Sequence, residues 1–126
     1  MTKTYATKYM HVRRLDNGAV VLKPHGEMIG GAETDELEKI IDQLDSEGVP
    51  CLVVNLVDVG MMNSLAISRL VSAHVKFSRR KAHVGLCNVD KKIDNVFVIT
   101  KLSLVFKVYP SEEAAIAACG GEAPQA

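Results

Sequence analysis

The stretch CLVVNLV, residues 51–57, is the feature that most constrains the fold of this chain. It is a nearly continuous run of apolar and β-branched residues, and turn-forming residues bound it on both sides. A strand of this composition fits a position in which both faces are covered, as in the middle of a parallel sheet. We therefore expect residues 51–57 to form a central strand.

A hairpin is predicted near the start of the chain. Two short strand-like segments, residues 10–15 and 19–24, flank the sequence Asp16-Asn17-Gly18. The Asn-Gly pair readily adopts the positive φ angles of a tight turn between antiparallel strands. An antiparallel pair of strands should therefore open the fold.

Helical patterns alternate with strand patterns along the rest of the chain. The first helix should end at Gly48, the second follows Asn63 and Ser64, the third follows Asp90, and the fourth begins at Ser111. Short strands are predicted at residues 82–87 and 105–109. The apolar stripes of the first three helices are Leu37, Ile40, Ile41 and Leu44; Ile67, Leu70, Val71 and Val75; and Ile93, Val96, Phe97 and Thr100.

This order of elements predicts an α/β fold. Strands that alternate with helices form parallel sheets through right-handed crossovers. We expect a small mixed, mostly parallel β-sheet, opened by an antiparallel hairpin and packed with about four helices. Residues 1–126 should form a single domain with its core at about 10–118 and a flexible C-terminal tail at 119–126.

The charge balance argues against several classes of partner. The 15 Lys and Arg residues equal the 15 Asp and Glu residues, whereas binding to nucleic acids or anionic membranes usually requires an excess of basic residues. The apolar runs are also far shorter than the roughly 20 residues of a membrane span. Because the N-terminal segment is polar and carries no export signal, we predict a cytoplasmic protein with no nucleic-acid partner and no membrane insertion.

The cysteines and histidines do not form a recognisable site. Cys51, Cys87 and Cys119 are widely spaced and lack metal-ligand spacing, and structural disulfides are unusual in a reducing compartment. We expect Cys51 and Cys87 to be small buried apolar residues. Neither a phosphate-binding glycine loop nor a nucleophile elbow occurs, so the sequence predicts no enzyme activity, no cofactor and no metal site. The histidines also form no ligand set: His11, His25, His74 and His83.

The turn at residues 58–64 is the most informative place for function, because loops at the carboxyl ends of parallel strands commonly carry it. The helix that follows presents unpaired backbone N–H groups and a partial positive charge, which suit an anion such as a phosphate. Either Asn63 or Ser64 could be the N-cap. Ser64 could therefore be a capping residue alone or a site for chemistry.

Four stretches of the sequence carry a resemblance to a known family. They are HGEMIGGAETDELEKII, CLVVNLVDVGMMNS, FSRRKAHVGLCNV and VFVITKLSLVFKVYPSEEAAIAA. Through them the chain, from about residue 12 to residue 118, resembles the STAS domain, and in particular the stand-alone bacterial anti-sigma factor antagonists, also called anti-anti-sigma factors.

The resemblance implies a function for Ser64. In the family the turn usually reads Asp-Ser-Ser/Thr-Gly-Leu, and the partner kinase phosphorylates the first serine; Ser64 falls on that position. The sequence departs from the pattern at Asn63 in place of Asp, Leu65 in place of the second Ser or Thr, and Ala66 in place of Gly. The implied activity is to bind an anti-sigma factor that is a serine kinase and so release a sigma factor, with phosphorylation of Ser64 switching this binding off.

The expected partner-binding surface surrounds this serine and includes Asn63, Ser64, Met61, Met62, Leu65, Glu33 and Asp35. Several alternatives remain open: one methionine could be core, the acidic first helix could be an ordinary solvated face, and Arg79, Arg80 and Lys81 could either end their helix or form a polar rim. The alternative function is a constitutive STAS scaffold subunit of a stress-signalling or lipid-transport complex, without use of Ser64 phosphorylation. A homodimer or a STAS assembly is a further possible partner arrangement.

Overall fold

The computed structural model describes residues 3–99 and 106–119. Within these residues, seven strands and four helices follow one another along the chain. They are β1 (Lys3–Ala6), β2 (Met10–Arg14), β3 (Val20–Met28), α1 (Ala32–Ser46), β4 (Cys51–Asn55), β5 (Asp58–Met62), α2 (Ser64–Arg79), β6 (His83–Cys87), α3 (Lys91–Ile99), β7 (Lys107–Tyr109) and α4 (Glu112–Cys119).

The strands form one sheet in the order β1-β2-β3-β4-β6-β7. The pairs β1–β2 and β2–β3 are antiparallel, whereas β3, β4, β6 and β7 pair in parallel. Strand β4 is buried along its whole length, as expected for a strand covered on both faces. The predicted fold class, a mostly parallel sheet opened by an antiparallel hairpin and packed with four helices, is confirmed.

On the edge of β3 opposite β2, two strands pair with it one after the other, β4 and then β5. Its first residues pair with β4, and its last residues, from His25 to Met28, pair in parallel with β5. The register shifts between Gly26 and Glu27. Strand β5 therefore runs along the last residues of β3, and α2 begins at the carboxyl edge of the sheet.

Helices α1 and α2 lie side by side on one face of the sheet, and ion pairs connect them. Arg80 Nε lies 2.7 Å from Asp45, Arg69 Nε lies 3.4 Å from Glu38, and Lys76 pairs with Asp42. Ion pairs that solvent can reach contribute at most about 1 kcal/mol each. They nevertheless show that α1 and α2 run in the same direction, so that the N-terminal ends of both helices lie at the same edge of the sheet.

Several sequence-based boundaries are corrected by the structure. Residues 58–62 form β5 rather than a turn, and β4 ends at Asn55, which leaves Val57 53% exposed. The sequence did not indicate β5 because its apolar residues do not alternate regularly with polar ones. In α2 the exposed Val75 lies outside the buried stripe. Thr100, predicted for the third helix, and Val105, predicted for the last strand, lie outside the described residues. The same holds for the side chain of Val96.

The expectation that the chain contains no disulfide is wrong. Cys51, the first residue of β4, forms a disulfide with Cys119, the last residue of α4, with the two Cα atoms 5.8 Å apart. Cys87 is a buried free thiol, as predicted. Cys119 is therefore part of a helix rather than of the expected tail at 119–126, and residues 120–126 lie outside the described residues.

None of the helices in the described ranges combines the length and apolar character needed to cross a bilayer.

Candidate functional site

Ser64 is the first residue of α2 and is exposed to solvent. It follows β5 directly, and the backbone N–H of Asn63 donates a 3.0 Å hydrogen bond to the carbonyl of Met28 at the end of β3. Two adjacent strand ends therefore fix the backbone next to the serine. Ser64 is therefore accessible to solvent in the folded chain.

Asn63, not Ser64, is the N-cap of α2. Its backbone is extended, and its side-chain oxygen accepts a 3.0 Å hydrogen bond from the backbone N–H of Ala66. This is the usual N-cap arrangement, in which a side chain satisfies one of the unpaired N–H groups of the first turn. Because Asn63 performs the capping, Ser64 is not required for it, and its position at the positive end of the helix is suited to a phosphate.

The loop between β3 and α1 packs against the start of α2. At Gly30 the φ angle is +89°, and a methyl group in place of its hydrogen would lie 3.1 Å from Leu65 Cδ2 and 3.4 Å from Asn63 Nδ2. A side chain at residue 30 would therefore be strained by the backbone and crowded by the helix. This close approach brings Ile29, the residue before Gly30, to the same edge of the molecule as Leu65.

The carboxylate of Glu33 holds this loop in place. It accepts hydrogen bonds from the backbone N–H groups of Ile29 at 2.7 Å and Gly31 at 3.0 Å, and from the hydroxyl of Thr34 at 3.1 Å. The hydrogen bond from Gly31 is the main cause that lowers the pKa of Glu33 to about 2, followed by those of the Glu33 and Ile29 backbone. Glu33 is thus ionised at neutral pH and orders the loop beside the serine.

Exposed apolar side chains surround this polar centre. Ile29 is 50% exposed, Met61 is 52% exposed and Leu65 is 40% exposed. Together with Asn63 and Ser64, they form what we call the Ser64 surface. A group of exposed large apolar side chains close together on the surface is characteristic of sites that bind other proteins.

Not all of the residues predicted from the sequence belong to the Ser64 surface. Met62 is only 7% exposed and lies in the core, so the structure corrects its assignment as a contact residue. Asp35 is exposed on another flank of α1, where it lines a shallow depression with Tyr9 and Lys39. Glu33 lies beside the Ser64 surface, with its carboxylate occupied by the loop.

The basic residues at the end of α2 lie far from Ser64. The helix has 16 residues, which corresponds to a length of about 24 Å. At its distal end Arg80 binds Asp45 and the carbonyl of Val49, the latter at 2.8 Å. Arg79, Arg80 and Lys81 are therefore residues of the helix end, and the alternative that they form a rim around Ser64 is wrong.

Three residues of this region were missed by the sequence analysis, namely Ile29, Gly30 and Thr34. Thr34 is buried, and its hydroxyl accepts a 3.0 Å hydrogen bond from the backbone N–H of Gly30. The signal that could have indicated this turn is the Gly30-Gly31 pair directly before the helix, since glycine readily adopts the positive φ found at Gly30.

The site combines an exposed serine with exposed apolar side chains. In the part of the chain that the structure describes, no group of three or more His, Cys, Asp or Glu residues is placed to hold a metal ion.

The fold is similar to those of several solved proteins. The crystal structure of Thermotoga maritima TM1081, to which the role of anti-sigma factor antagonist is assigned provisionally, superposes with a TM-score of 0.79 at 20% identity, over 86% of this chain and 92% of that one. An anti-sigma factor antagonist from Mycobacterium paratuberculosis gives a TM-score of 0.75 at 20% identity, over 96% and 94% of the two chains.

The Bacillus cell fate determinant SpoIIAA in its phosphorylated form gives a TM-score of 0.66 at 14% identity, over 94% of this chain and 99% of that one. No curated protein sequence matches the chain. The sequence model of the STAS domain, in contrast, matches residues 10–115, which is most of the length. The chain therefore belongs to the STAS domain family.

Proposed function

We propose that this protein is an anti-sigma factor antagonist. In this proposal the Ser64 surface binds an anti-sigma factor that is a serine kinase, the bound kinase releases its sigma factor, and phosphorylation of Ser64 ends the binding. The observation that carries the proposal is the exposure of Ser64 at the capped start of α2, among the exposed apolar side chains of Ile29, Met61 and Leu65.

The effect of a phosphate follows from its charge and position. Phosphorylation would add about 1.5 to 2 negative charges and three acceptor oxygens in the middle of the Ser64 surface. The positive end of α2 tolerates this charge, so the fold should persist. A docked partner would have to desolvate the phosphate among apolar side chains, and the ionised Glu33 adds a nearby negative charge. An unfavourable contact of this kind costs several kcal/mol in an interface, and each loss of about 1.4 kcal/mol weakens binding tenfold.

The proposal also covers where the protein acts in the cell and whether the chain itself catalyses a reaction. An antagonist of this kind acts where sigma factors act, which places it in the cytoplasm. The phosphoryl transfer is performed by the kinase, and the chain contributes only the accepting hydroxyl. The protein is therefore proposed to be a regulated binding module rather than an enzyme.

A second candidate is a constitutive scaffold subunit of a stress-signalling or lipid-transport complex. The observation that favours it is the departure from the family's phosphorylation motif at Asn63, Leu65 and Ala66. In such a subunit the Ser64 surface would bind a neighbouring subunit permanently, and the Ser64 hydroxyl would remain unmodified.

The two candidates are separated by incubation of the full chain with a histidine-kinase-like anti-sigma factor and ATP. The antagonist proposal predicts one added phosphate, which mass spectrometry assigns to Ser64 and which the Ser64→Ala variant does not acquire. It also predicts that the phosphorylated protein and Ser64→Asp bind the kinase about tenfold or more weakly than the unmodified chain.

Ser78 provides the matched control, because it is an exposed serine at the opposite end of the same helix. Ser78→Asp should bind the kinase like the wild type. Binding that is unchanged by Ser64→Asp, or a phosphate on another residue, would contradict the proposed switch and support the scaffold.

A further inference from the structure

Helix α4 crosses β4 in the opposite direction and is attached to it at both ends. At one end the side-chain amide of Asn55 donates a 2.9 Å hydrogen bond to Glu112, and at the other end Cys119 is bonded to Cys51. The strand has five residues and the helix eight, which correspond to similar lengths of about 13 Å and about 11 Å. The helix therefore spans the strand from its last residue to its first.

The apolar contact between these two attachments is small. Ala115 is the buried residue of α4, and the partly buried Ile116 packs beside it against the face formed by Val21, Val53 and Cys87. An isolated helix of eight residues is marginal in water. The docked position of α4 therefore depends strongly on the attachments at its ends.

The free thiol Cys87 lies beneath this helix towards its N-terminal end, since Cys87 is the register partner of Asn55, which binds Glu112. It is fully buried in the same small cluster as Ala115. Burial raises the pKa of the Cys87 thiol to about 11, and the negative charge of Glu112 adds to this shift. Because the thiolate is the reactive form of cysteine, Cys87 should be inert as long as α4 covers it.

We propose that the Cys51–Cys119 disulfide is a redox-modifiable bond whose reduction by a dithiol removes the C-terminal attachment of α4, so that the short helix leaves the sheet and uncovers Cys87. Disulfides in a reducing cytoplasm are usually transient or redox-sensing rather than structural; this step rests on the proposed function, which places the protein there. The attachment of α4 at both ends is observed in the structure and does not depend on the proposed function.

The chemistry requires one dithiol reductant for each protein. A thiolate of the reductant attacks Cys119 Sγ, which is at the less buried end of the bond, and Cys51 leaves as a thiolate that takes up a proton. The second thiol of the reductant then attacks the mixed disulfide, releases Cys119 as a thiol and becomes a disulfide itself. Two electrons pass from the reductant to the protein, and a disulfide oxidant reverses the reaction.

The test measures alkylation of Cys87 by a maleimide in the full chain, with mass spectrometry to identify the labelled residue. The oxidised wild type should be lighter than the reduced protein by two hydrogen atoms, and its Cys87 should remain unlabelled. In the wild type reduced with dithiothreitol, and in the Cys51→Ser/Cys119→Ser variant, Cys87 should be labelled about tenfold faster or more. Cys87→Ser serves as the control that keeps the disulfide and should show no labelling when oxidised.

Hydrogen exchange on the same samples distinguishes local release from unfolding. Reduction should increase exchange in α4 while the amides of Leu52, Val53 and Val54 in β4 stay protected. An oxidised protein without the disulfide, equal labelling of Cys87 in both redox states, or loss of protection in β4 would each overturn the proposal. Because no kinase is present, these failures are distinguishable from a failure of the antagonist function.

Discussion

The side-chain oxygen of Asn63 accepts a hydrogen bond from the backbone N–H of Ala66 at 3.0 Å, directly before Ser64. Loss of an N-cap of this kind typically lowers stability by about 1 kcal/mol. We therefore expect Asn63→Ala to lower the free energy of unfolding by about that amount, measured by urea denaturation. Asn95→Ala, at an exposed position in α3, is the control and should lower stability much less.

Asn63→Asp should have the opposite effect on stability. A carboxylate also serves as an N-cap, and its charge interacts favourably with the positive end of the helix by roughly 0.3–1 kcal/mol at low ionic strength. The same substitution restores the acidic residue that usually precedes the serine in the family. If the proposed function holds, it should increase the rate at which the kinase phosphorylates Ser64. A stability gain without any change in that rate would show that this residue acts only as a cap.

The ionised form of Glu33 should make stability depend on acid pH. The pKa of Glu33 is lowered to about 2 from the ordinary value of 4.5, so the unfolded chain binds this proton at a higher pH than the folded one. The stabilisation is complete above about 4.5 and is lost as pH falls towards 2. We expect Glu33→Gln to be less stable than the wild type at pH 7, with a difference in urea midpoint that shrinks steadily towards pH 2.

Asp35→Asn is the control for this measurement, because Asp35 is an exposed carboxylate of the same helix and does not hold the loop. At pH 7 Asp35→Asn should lower the urea midpoint less than Glu33→Gln does. A Glu33→Gln difference that is independent of pH would contradict the assignment of the loop-holding role to the charge of Glu33.

The close approach of Gly30 to Leu65 leads to a test of the loop position. Gly30→Ala should lower the free energy of unfolding by more than about 1 kcal/mol, because the residue has positive φ and the new methyl group would lie 3.1 Å from Leu65 Cδ2. Gly26 is the matched control: its φ is also +89°, but a methyl group there meets nothing within 4 Å. Gly26→Ala should therefore lower the free energy of unfolding only by the cost of backbone strain, and so by less than Gly30→Ala.

The crowding contribution can be isolated with Leu65→Ala. This substitution removes the neighbouring methyl group, so the cost of Gly30→Ala should be smaller in the Leu65→Ala background than in the wild type. Urea denaturation of the four proteins in this double-mutant cycle gives the interaction energy. Additive effects would mean that the loop and α2 do not pack against each other as described.

The sequence was sufficient to predict elements with strong periodicity. The buried strand β4 and the helix containing Leu37, Ile40 and Leu44 were identified because many neighbouring residues share one pattern of burial. Strand β5 was missed because DVGMM contains a glycine and alternates irregularly. It becomes a strand only through pairing with the end of β3, and tertiary pairing of this kind leaves little trace in local sequence.

The residues of the candidate site show the same difference between what local sequence reveals and what only the fold reveals. Ser64 was found through the resemblance to a family motif, whereas Ile29 was missed because it becomes a surface residue only through the turn at Gly30. The Cys51–Cys119 disulfide joins residues separated by 68 positions. No local pattern predicts such a pair, since the two cysteines meet only when α4 packs across β4.

Met61 and Met62 are adjacent in the chain but should respond differently to the same substitution. Met62 is buried in the core, so Met62→Ala should lower the free energy of unfolding by about 2–5 kcal/mol, through lost burial and the cavity that remains. Met61 is 52% exposed, so Met61→Ala should change stability by less than about 0.5 kcal/mol. Urea denaturation of the two variants measures both effects.

The effects of the two substitutions on kinase binding, measured on folded protein, should have the reverse order of their effects on stability. If the proposed function holds and Met61 is an anchor of the contact with the kinase, its truncation should cost more than about 1 kcal/mol. Met61→Ala should then weaken kinase binding by about tenfold. Met62→Ala, assayed below its unfolding temperature, should retain near wild-type affinity because its side chain does not reach the surface. Equal affinity of Met61→Ala and the wild type would exclude Met61 from the contact and move the binding site away from β5.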